Sequence, residues 1–449
     1  MTDPIAALQT RLEGAGVHHC IASYVDMHGV SKSKFVPISH LHQMMEGSEM
    51  FTGAALDGVP QEINDEEVAC MPDAASCTIL PWRKEVALFH SDLWCEGKPF
   101  EACSRNILNR QIARAEAMGY KMNLGMEAEF FVFSNAPGAD RDPVSPRADL
   151  EKPAYDTLRL LDNFDWLSEL VDAMNTLGWD VYSYDHEDGI GQVEIDFAYA
   201  DVRTMADRYV FLRMMATAIA ERHHAFASFM PKPFGDRTGS GAHFNMSLAD
   251  AKTGENLFKF SDDPRGCGLS PLGYQFLAGV LRHLPAIMAV VAPSVNSYKR
   301  LVKQGSMSGF TWAPIFACYG NNNRTNAMRI PKGGGRVELR AADSACNPYL
   351  GGAMVLAAGL EGIEEGLDPG EPNTDNMYLV SERELKRRKI TTLPRTLDEA
   401  LDGFAKDPLS KAVFGEAMYD SWLGYKRDEW LSYLNHVSDW ELTRYLRQF

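Results

Sequence analysis

Glu127 and Glu129 stand two positions apart in GMEAEFFVF (125–133), a run that is otherwise apolar. A strand alternates its faces residue by residue, so this spacing predicts two carboxylates on one strand face. Like charges that close repel each other, and an apolar interior does not hold them bare. Three further segments extend the set. HEDGIGQVEIDF carries Glu187 before a Gly-rich turn and Glu194 on the strand expected to follow. GSGAHFNMSL sets His243 in an alternating pattern, and GRVELRAAD puts Glu338 and Arg340 on one strand face. Each has a plainer explanation by itself: a solvated acidic pair, a satisfied structural histidine, a tight turn that needs glycine. Together, five carboxylates and one imidazole match two hard divalent cations, since Mg²⁺ and Mn²⁺ prefer oxygen ligands and accept an occasional imidazole.

Positive charge is supplied by two more segments. NSYKRL places Lys299 beside Arg300, and NNNRTNAMRIP sets Arg324 and Arg329 five apart. Arg336 and Arg340 complete a guanidinium cluster, the side chain suited to bidentate grip on carboxylate or phosphate. Any one of these arginines is explained by surface ion pairing. Metals with several arginines fit phosphoryl transfer, where a protein mainly positions groups and neutralises charge. No GxxxxGK[ST] loop is present. KPFGDRTGSG (232–241) is expected to form a flap or turn, and KGGGR (332–336) a hairpin loop at the edge of a nucleotide pocket.

These groups need elements to hold them. Strands are expected at 121–133, 190–198, 240–249 and 335–341, and helices at 157–177, 202–224 and 271–291. Turn formers in EGKPFEACS mark a boundary, after which Ser104 is expected to cap the helix RNILNRQIARAEAM, with Gly119 as its stop. HHCIASYVDM and SKFVPI read as strands near the N-terminus, and the tail from Leu397 reads as helices rich in Trp and acidic residues. Strands and helices mix without regular βα alternation, so the class is α+β: a small domain over 1–103 and a large one over 104–449.

The 449 residues exceed what one core usually serves. With 44 basic against 61 acidic side chains the formal charge is −17, which argues against a general nucleic-acid or anionic-membrane binder. Eight scattered cysteines without CxxC spacing read as reduced thiols. The polar start MTDPIAALQTRLEGAG lacks the apolar core of a signal peptide, and FLAGVLRHLPAIMAVVAP is interrupted by Arg282, His283 and Pro285. A cytoplasmic protein is expected.

GMEAEFFVF, HEDGIGQVEI, GSGAHFNMSL, NSYKRL, NNNRTNAMRIP and RVELRAADSACNPYL resemble, in order and spacing, the signature segments of the glutamine synthetase family. The similarity runs essentially the whole chain. DMHGVSKSKFVP resembles the family's N-terminal strand pair, and LPRTLDEALDGFAKDPL and YKRDEWLSYLNHVSDWELTRYL its C-terminal helices. The resemblance implies a β-grasp-like N-terminal domain and a catalytic domain built on an antiparallel sheet with flanking helices. It also implies ring-shaped oligomers, usually dodecamers of two stacked hexamers, with active sites between neighbouring subunits. Carried over by motif, Glu129, Glu187 and Glu194 would hold one metal ion, and Glu127, His243 and Glu338 a second that bridges to the ATP phosphates. Arg300, Arg324 and Arg340 match positions that grip the amino-acid carboxylate or the transferred phosphoryl. Arg329 and Arg336 match positions near the nucleotide phosphates, Ser247 one near the adenine, and Gly239 lies in the substrate-binding segment. The implied reaction activates the glutamate side chain as γ-glutamyl phosphate, which an amine then attacks.

The pattern departs from the family at the amine. Relatives follow NSYKRLVPG with a YEAP loop whose Glu helps bind and deprotonate ammonium. Here NSYKRLVKQGSMSGFTWAP has Ser306 six positions after Arg300 and no acidic residue between Arg300 and Pro314. Such a site is roomier and less polar, and a methyl group on the amine would gain about 1 kcal/mol from burial. Thr238 replaces the Asn that often precedes the GSGxH segment, and DGVP stands where relatives have DGSS, making Asp57 the candidate proton acceptor supplied to a neighbouring subunit. These departures resemble the branch of γ-glutamylmethylamide synthetases and type III glutamate–ammonia ligases. They imply methylamine as the amine, ahead of ammonia and of longer amines. Non-catalytic structural members of the family exist, but all six candidate metal ligands are present here.

Overall fold

The computed structural model describes residues 3–136, 144, 152–303 and 313–449. The N-terminal helix Pro4–Gly14 starts on an Asp3 cap whose carboxylate accepts from the Ile5 amide. Residues 19–99 then build a seven-stranded sheet. Arg83–Cys95 is its spine, parallel to His19–Val25 and antiparallel to Val68–Pro72, Thr78–Leu80 and Lys98–Pro99. His19–Val25 turns back at Gly29 into Ser31–Pro37. Gly29 has a φ of +80°, and a Cβ there would lie 2.9 Å from the Arg213 guanidinium, which donates to the Gly29 carbonyl. This bond ties the N-terminal sheet to the rest of the molecule.

Two further sheets carry the candidate site. The six-stranded sheet runs in the order Ala200–Asp201, Tyr120–Met126, Phe244–Asp250, Val337–Leu339, Asn326–Ile330, Phe316–Asn321. The four-stranded sheet runs Val181–His186, Gln192–Phe197, Ala128–Ser134, Ala225–Ser228. Every pairing in these two sheets is antiparallel except Phe316–Asn321 with Asn326–Ile330. The α+β class therefore holds, with one parallel pair in a sheet expected to be antiparallel. The helix Pro348–Glu364 is apolar on nearly all sides and is buried against Pro271–Arg282, Ser104–Ala117 and Leu284–Val291. No single helix among the described residues is long and apolar enough to cross a membrane. The tail forms four helices, Leu397–Lys406, Pro408–Phe414, Glu416–Leu434 and Asp439–Tyr445.

Several elements differ from the sequence expectations for local reasons. The 121–133 run is two strands in two sheets, Tyr120–Met126 and Ala128–Ser134, with the break at Glu127. The two glutamates thus do not share one regular strand face. The Gly241–His243 stretch runs alongside that break: the Glu127 amide donates to the His243 carbonyl and the Glu129 amide to the Gly241 carbonyl. His243 precedes its strand, which begins at Phe244, and Arg340 follows Val337–Leu339. The 157–177 helix breaks at Asn163, whose side chain donates to the Arg159 carbonyl and accepts from Trp166 Nε1. The 271–291 helix bends by 74° at His283, where Pro285 removes an amide donor. Cys103, not Ser104, is the N-cap of Ser104–Ala117, because the Ser104 hydroxyl donates 2.7 Å to the Val25 carbonyl instead. All eight cysteines are free thiols.

Candidate active site

Strand register builds the acidic centre. Asp185 lies opposite Glu194, and Glu194 lies opposite Glu129, so three carboxylates form a row across three strands. Directly opposed like charges destabilise a sheet unless something neutralises them. Glu187 joins from the turn after Val181–His186, and ligand atoms of Glu129, Glu187 and Glu194 lie within 4.8 Å of one another. Burial, and then the neighbouring charges of Glu129 and Glu187, push the Glu194 carboxyl well above the ordinary range. Burial raises Glu129 as well, although His243 opposes it. The Asp185 Oδ1 atom is buried with no hydrogen-bond partner among the described residues. A hard divalent cation would match this donor set and remove the repulsion.

A second triad sits beside the first. Ligand atoms of Glu127, His243 and Glu338 also fall within 4.8 Å of one another. His243 Nδ1 is 2.7 Å from Glu127 Oε2, and Asn245 Nδ2 donates 2.8 Å to Glu127 Oε1. Burial disfavours the Glu127 charge, but His243 and Asn245 hold the carboxyl well below the ordinary range. Glu338 is fully buried, with Arg340 Nη1 at 2.6 Å from one oxygen and Arg329 Nη1 at 2.7 Å from the other. Each carboxylate oxygen keeps a second lone pair for an ion. Close approach requires glycine at 241: a Cβ there would lie 2.8 Å from His243 Nε2 and 3.1 Å from Glu129 Oε1.

Two cavities meet at this centre. One, of 660 Å³, holds the carboxylates together with Thr238, Gly239, Arg300, Arg324, Arg329 and Arg340. The other, of 510 Å³, is lined by Ser247, Arg336, Lys259, Tyr182, Tyr199 and the Gly333–Gly335 hairpin. Glu127 and Asp196 line both and so form the shared wall. KGGGR is the hairpin between Asn326–Ile330 and Val337–Leu339, with all three glycines at positive φ. Arg336 Nε donates 3.0 Å to Asn245 Oδ1.

The arginines differ in what they already hold. Arg300 is buried, and its terminal nitrogens donate to the carbonyls of Arg340, Ala341 and Ala342. It therefore fixes the chain that presents Arg340. Arg324 lines the carboxylate cavity and makes no hydrogen bond or ion pair among the described residues. Asp57 is not among the residues lining either cavity; its carboxylate is 3.4 Å from His28 Nε2. Ser306 lies outside the described residues.

Asp185 and Asp196 are functional candidates that the sequence reading passed over. Burial, then Glu127, lifts Asp196 to about 7; burial, then Glu187, lifts Asp185 to about 6. The signal for Asp196 was present, since Gln192, Glu194 and Asp196 alternate with Val193, Ile195 and Phe197 in one strand. Asp185 carries no such mark, because only the register with Glu194 brings it into the row.

Comparison with known proteins agrees with this geometry. The family described as glutamine synthetase, catalytic domain, matches residues 101–445. The chain is 40% identical over 434 residues to the glutamate–methylamine ligase of Methyloversatilis universalis, covering 96% of this chain and 97% of that one. It is 38% identical over 428 residues to the glutamine synthetase of Rhizobium leguminosarum bv. phaseoli, covering 95% of each. Among solved structures, a GmaS–ADP complex superposes with a TM-score of 0.91 at 37% identity, covering 99% of this chain and 100% of that one. Ligand-free GmaS gives 0.90 at 36%, with full coverage of both. The chain belongs to the glutamine synthetase family.

Proposed function

We propose that this protein is an ATP-dependent glutamate–amine ligase that acts through γ-glutamyl phosphate, with methylamine as its amine and N5-methyl-L-glutamine, ADP and phosphate as products. The observation that carries the reading is the shared wall: two cavities meet at Glu127 and Asp196, with the three-carboxylate set and the carboxylate–imidazole set beside them. ATP in the smaller cavity would direct its γ-phosphate across that wall towards glutamate in the larger one. Divalent cations, Mg²⁺ or Mn²⁺, would be held by Glu129, Glu187 and Glu194 and by Glu127, His243 and Glu338, where they supply neutralising charge for the transferring phosphoryl.

The residues divide the remaining work. Arg336 and Ser247 line the nucleotide side, while Arg329 lines the carboxylate cavity and holds Glu338. Gly239, Arg324 and Arg340 line the glutamate side. A γ-carboxylate oxygen attacks the γ-phosphorus and ADP leaves; the amine nitrogen then attacks the acyl carbon, loses a proton and expels phosphate. The acyl phosphate supplies the leaving group that a carboxylate lacks. Arg324, which has no hydrogen bond or ion pair among the described residues, would meet charge that develops in the cavity. Methylamine is supported by the sequence segment without an acid between Arg300 and Pro314, and by the 40% identity to a glutamate–methylamine ligase.

The quaternary reading is a homododecamer in which Asp57 serves a neighbouring subunit, consistent with its position away from its own chain's cavities. The domains are 1–103 and 104–449, and free thiols throughout suit the cytoplasm. The test is phosphate release from ATP with Mg²⁺, glutamate and each of ammonium, methylamine and ethylamine. The highest kcat/KM should fall on methylamine. A preference for ammonium would make the protein a glutamine synthetase, and no release with any amine would leave only a structural role.

A further inference from the structure

Gln192 opens the strand Gln192–Phe197 and is fully buried, yet it is not one of the candidate ligands or substrate contacts. Its carboxamide uses both ends. Oε1 accepts from Thr238 Oγ1 at 2.8 Å and from the Gly189 amide at 3.1 Å. Nε2 donates to the Gly239 carbonyl at 3.1 Å and towards Glu129 Oε2 at 3.4 Å. All four hydrogen bonds an amide can make are therefore placed, with no access to solvent. The backbone adds to this, since the Gln192 amide donates to the Gly189 carbonyl and its own carbonyl accepts from the Glu187 amide.

These bonds join three separate parts of the site. The Gly189 contact sets the turn that carries Glu187. The Glu129 contact, with the Gly241 amide at 2.7 Å, fixes Oε2 and leaves Oε1 to face His243 Nε2. The Thr238 and Gly239 contacts hold the segment that lines the glutamate side of the cavity. That segment has no slack, because a Cβ on Gly239 would meet Arg300 Cγ at 2.8 Å. The hydroxyl of Thr238 is accordingly turned to Gln192.

The geometry points to Gln192 as a positioning residue that couples cation binding at Glu129, Glu187 and Glu194 to amino-acid binding along Thr238–Gly239. Glu129 and Glu187, if held by an ion, would fix the carboxamide that lies between Glu129 and the Gly189 turn, and the carboxamide holds the segment that lines the glutamate side. Outer partners of this kind are worth about 10–100-fold in metal affinity. The inference rests on the ligase reading for the identity of the amino acid, but not for the ion.

Binding measured without turnover tests it. Mn²⁺ affinity is followed by electron paramagnetic resonance in protein free of nucleotide, and glutamate affinity by calorimetry with and without saturating Mn²⁺. In the wild type Mn²⁺ should tighten glutamate binding. Gln192→Met keeps the volume and removes all four bonds. It should weaken Mn²⁺ binding about tenfold or more and abolish the Mn²⁺ effect on glutamate, with affinity for a non-hydrolysable ATP analogue unchanged. Thr238→Val should lose the coupling and keep most Mn²⁺ affinity, whereas Thr238→Ser should retain both. Unaltered Mn²⁺ affinity and coupling in Gln192→Met would overturn the inference. So would an equal loss of ATP-analogue and glutamate affinity, which marks a general packing role. If Gln192→Met does not fold, coupling that survives in Thr238→Val overturns it. Wild-type protein that binds Mn²⁺ but no glutamate would defeat the ligase reading instead, and the Mn²⁺ measurement would still judge Gln192.

Discussion

Two of the buried charged clusters among the described residues contain more acids than bases. In the first, Arg105 sits 3% exposed where the N-terminal sheet meets the body. Its guanidinium meets Asp207 through Nε and Nη2 at 3.0 and 3.1 Å, Asp92 at 3.0 Å and Asp73 at 2.9 Å. Tyr349 adds a 2.6 Å hydrogen bond to Asp207. Burial alone would raise Asp207, but His90, Arg105 and Tyr349 hold it below its ordinary value. In the second cluster Asp185, Glu194 and Glu129 oppose one another across strands beside an open cavity, and burial raises all three. The difference is whether the cation is covalently part of the chain. The Asp73–Asp92–Asp207 cluster carries a guanidinium that neutralises it, whereas the carboxylates left facing the cavity could receive a cation from solution.

The contrast can be broken most forcefully at Arg105. Arg105→Ala strands three aspartates and should cost roughly 3–5 kcal/mol of stability by denaturant unfolding. Specific activity of the fraction that stays folded should be unchanged; a loss of activity without loss of stability would erase the distinction. Glu338→Ala probes the other cluster. It should lower phosphate release by about 10²–10³-fold in the fraction that stays folded, with stability also reduced because Arg329 and Arg340 lose their buried partner. Retained turnover would remove Glu338 from the ligand set. Third, Mg²⁺ or Mn²⁺ at about 100 times its dissociation constant should add roughly 2.7 kcal/mol of stability, reversed by chelator. The increment should be the same in Arg105→Ala, because the two clusters are separate.

The smallest expected effect is the opposite pH slope of the two clusters. Glu129 and Glu194 are raised, Asp185 to about 6 and Asp196 to about 7. Groups raised on folding bind more protons folded than unfolded, so their contribution is present at low pH and lost as pH rises through 6–7. The stabilisation by Mg²⁺ should accordingly grow from pH 5.5 to 8, with protons released on binding, and Asp185→Asn with Asp196→Asn should flatten the trend. His90, beside Arg105, is lowered by burial. Its contribution is present above the ordinary histidine value of about 6.5 and is lost as pH falls below it. A His90→Gln variant should lose that acid sensitivity in thermal melts and leave the Mg²⁺ trend alone.

Much of this site is legible in the chain because its chemistry is carried by residue type and local spacing. Glu127, Glu129, Glu194, His243 and Glu338 stand out as polar residues in alternating or apolar runs, Glu187 precedes a Gly-rich turn, and Gly189, Gly191 and Gly333–Gly335 mark the turns beside them. What local spacing cannot report is register. Asp185 enters the row only because it pairs with Glu194, and Arg300 is engaged only because the 340–342 carbonyls fold back onto it. The helix break at Asn163 was hidden for a related reason: a continuous apolar period does not reveal a side chain that takes over a backbone partner, whereas the bend at His283 was marked by Pro285 in the sequence.

The opening pair shows where the two sources of order divide. Alone, the sequence determined that Glu127 and Glu129 would be carboxylates in an apolar setting needing a counter-charge, since that follows from composition over nine residues. Only the tertiary structure decided that the chain leaves one sheet and enters another at Glu127. The Gly241–His243 stretch alongside draws Glu127 to His243 and Glu129 to the Gly241 amide. Neighbours in sequence thereby serve two different triads, because the partners that separate them come from more than a hundred residues away.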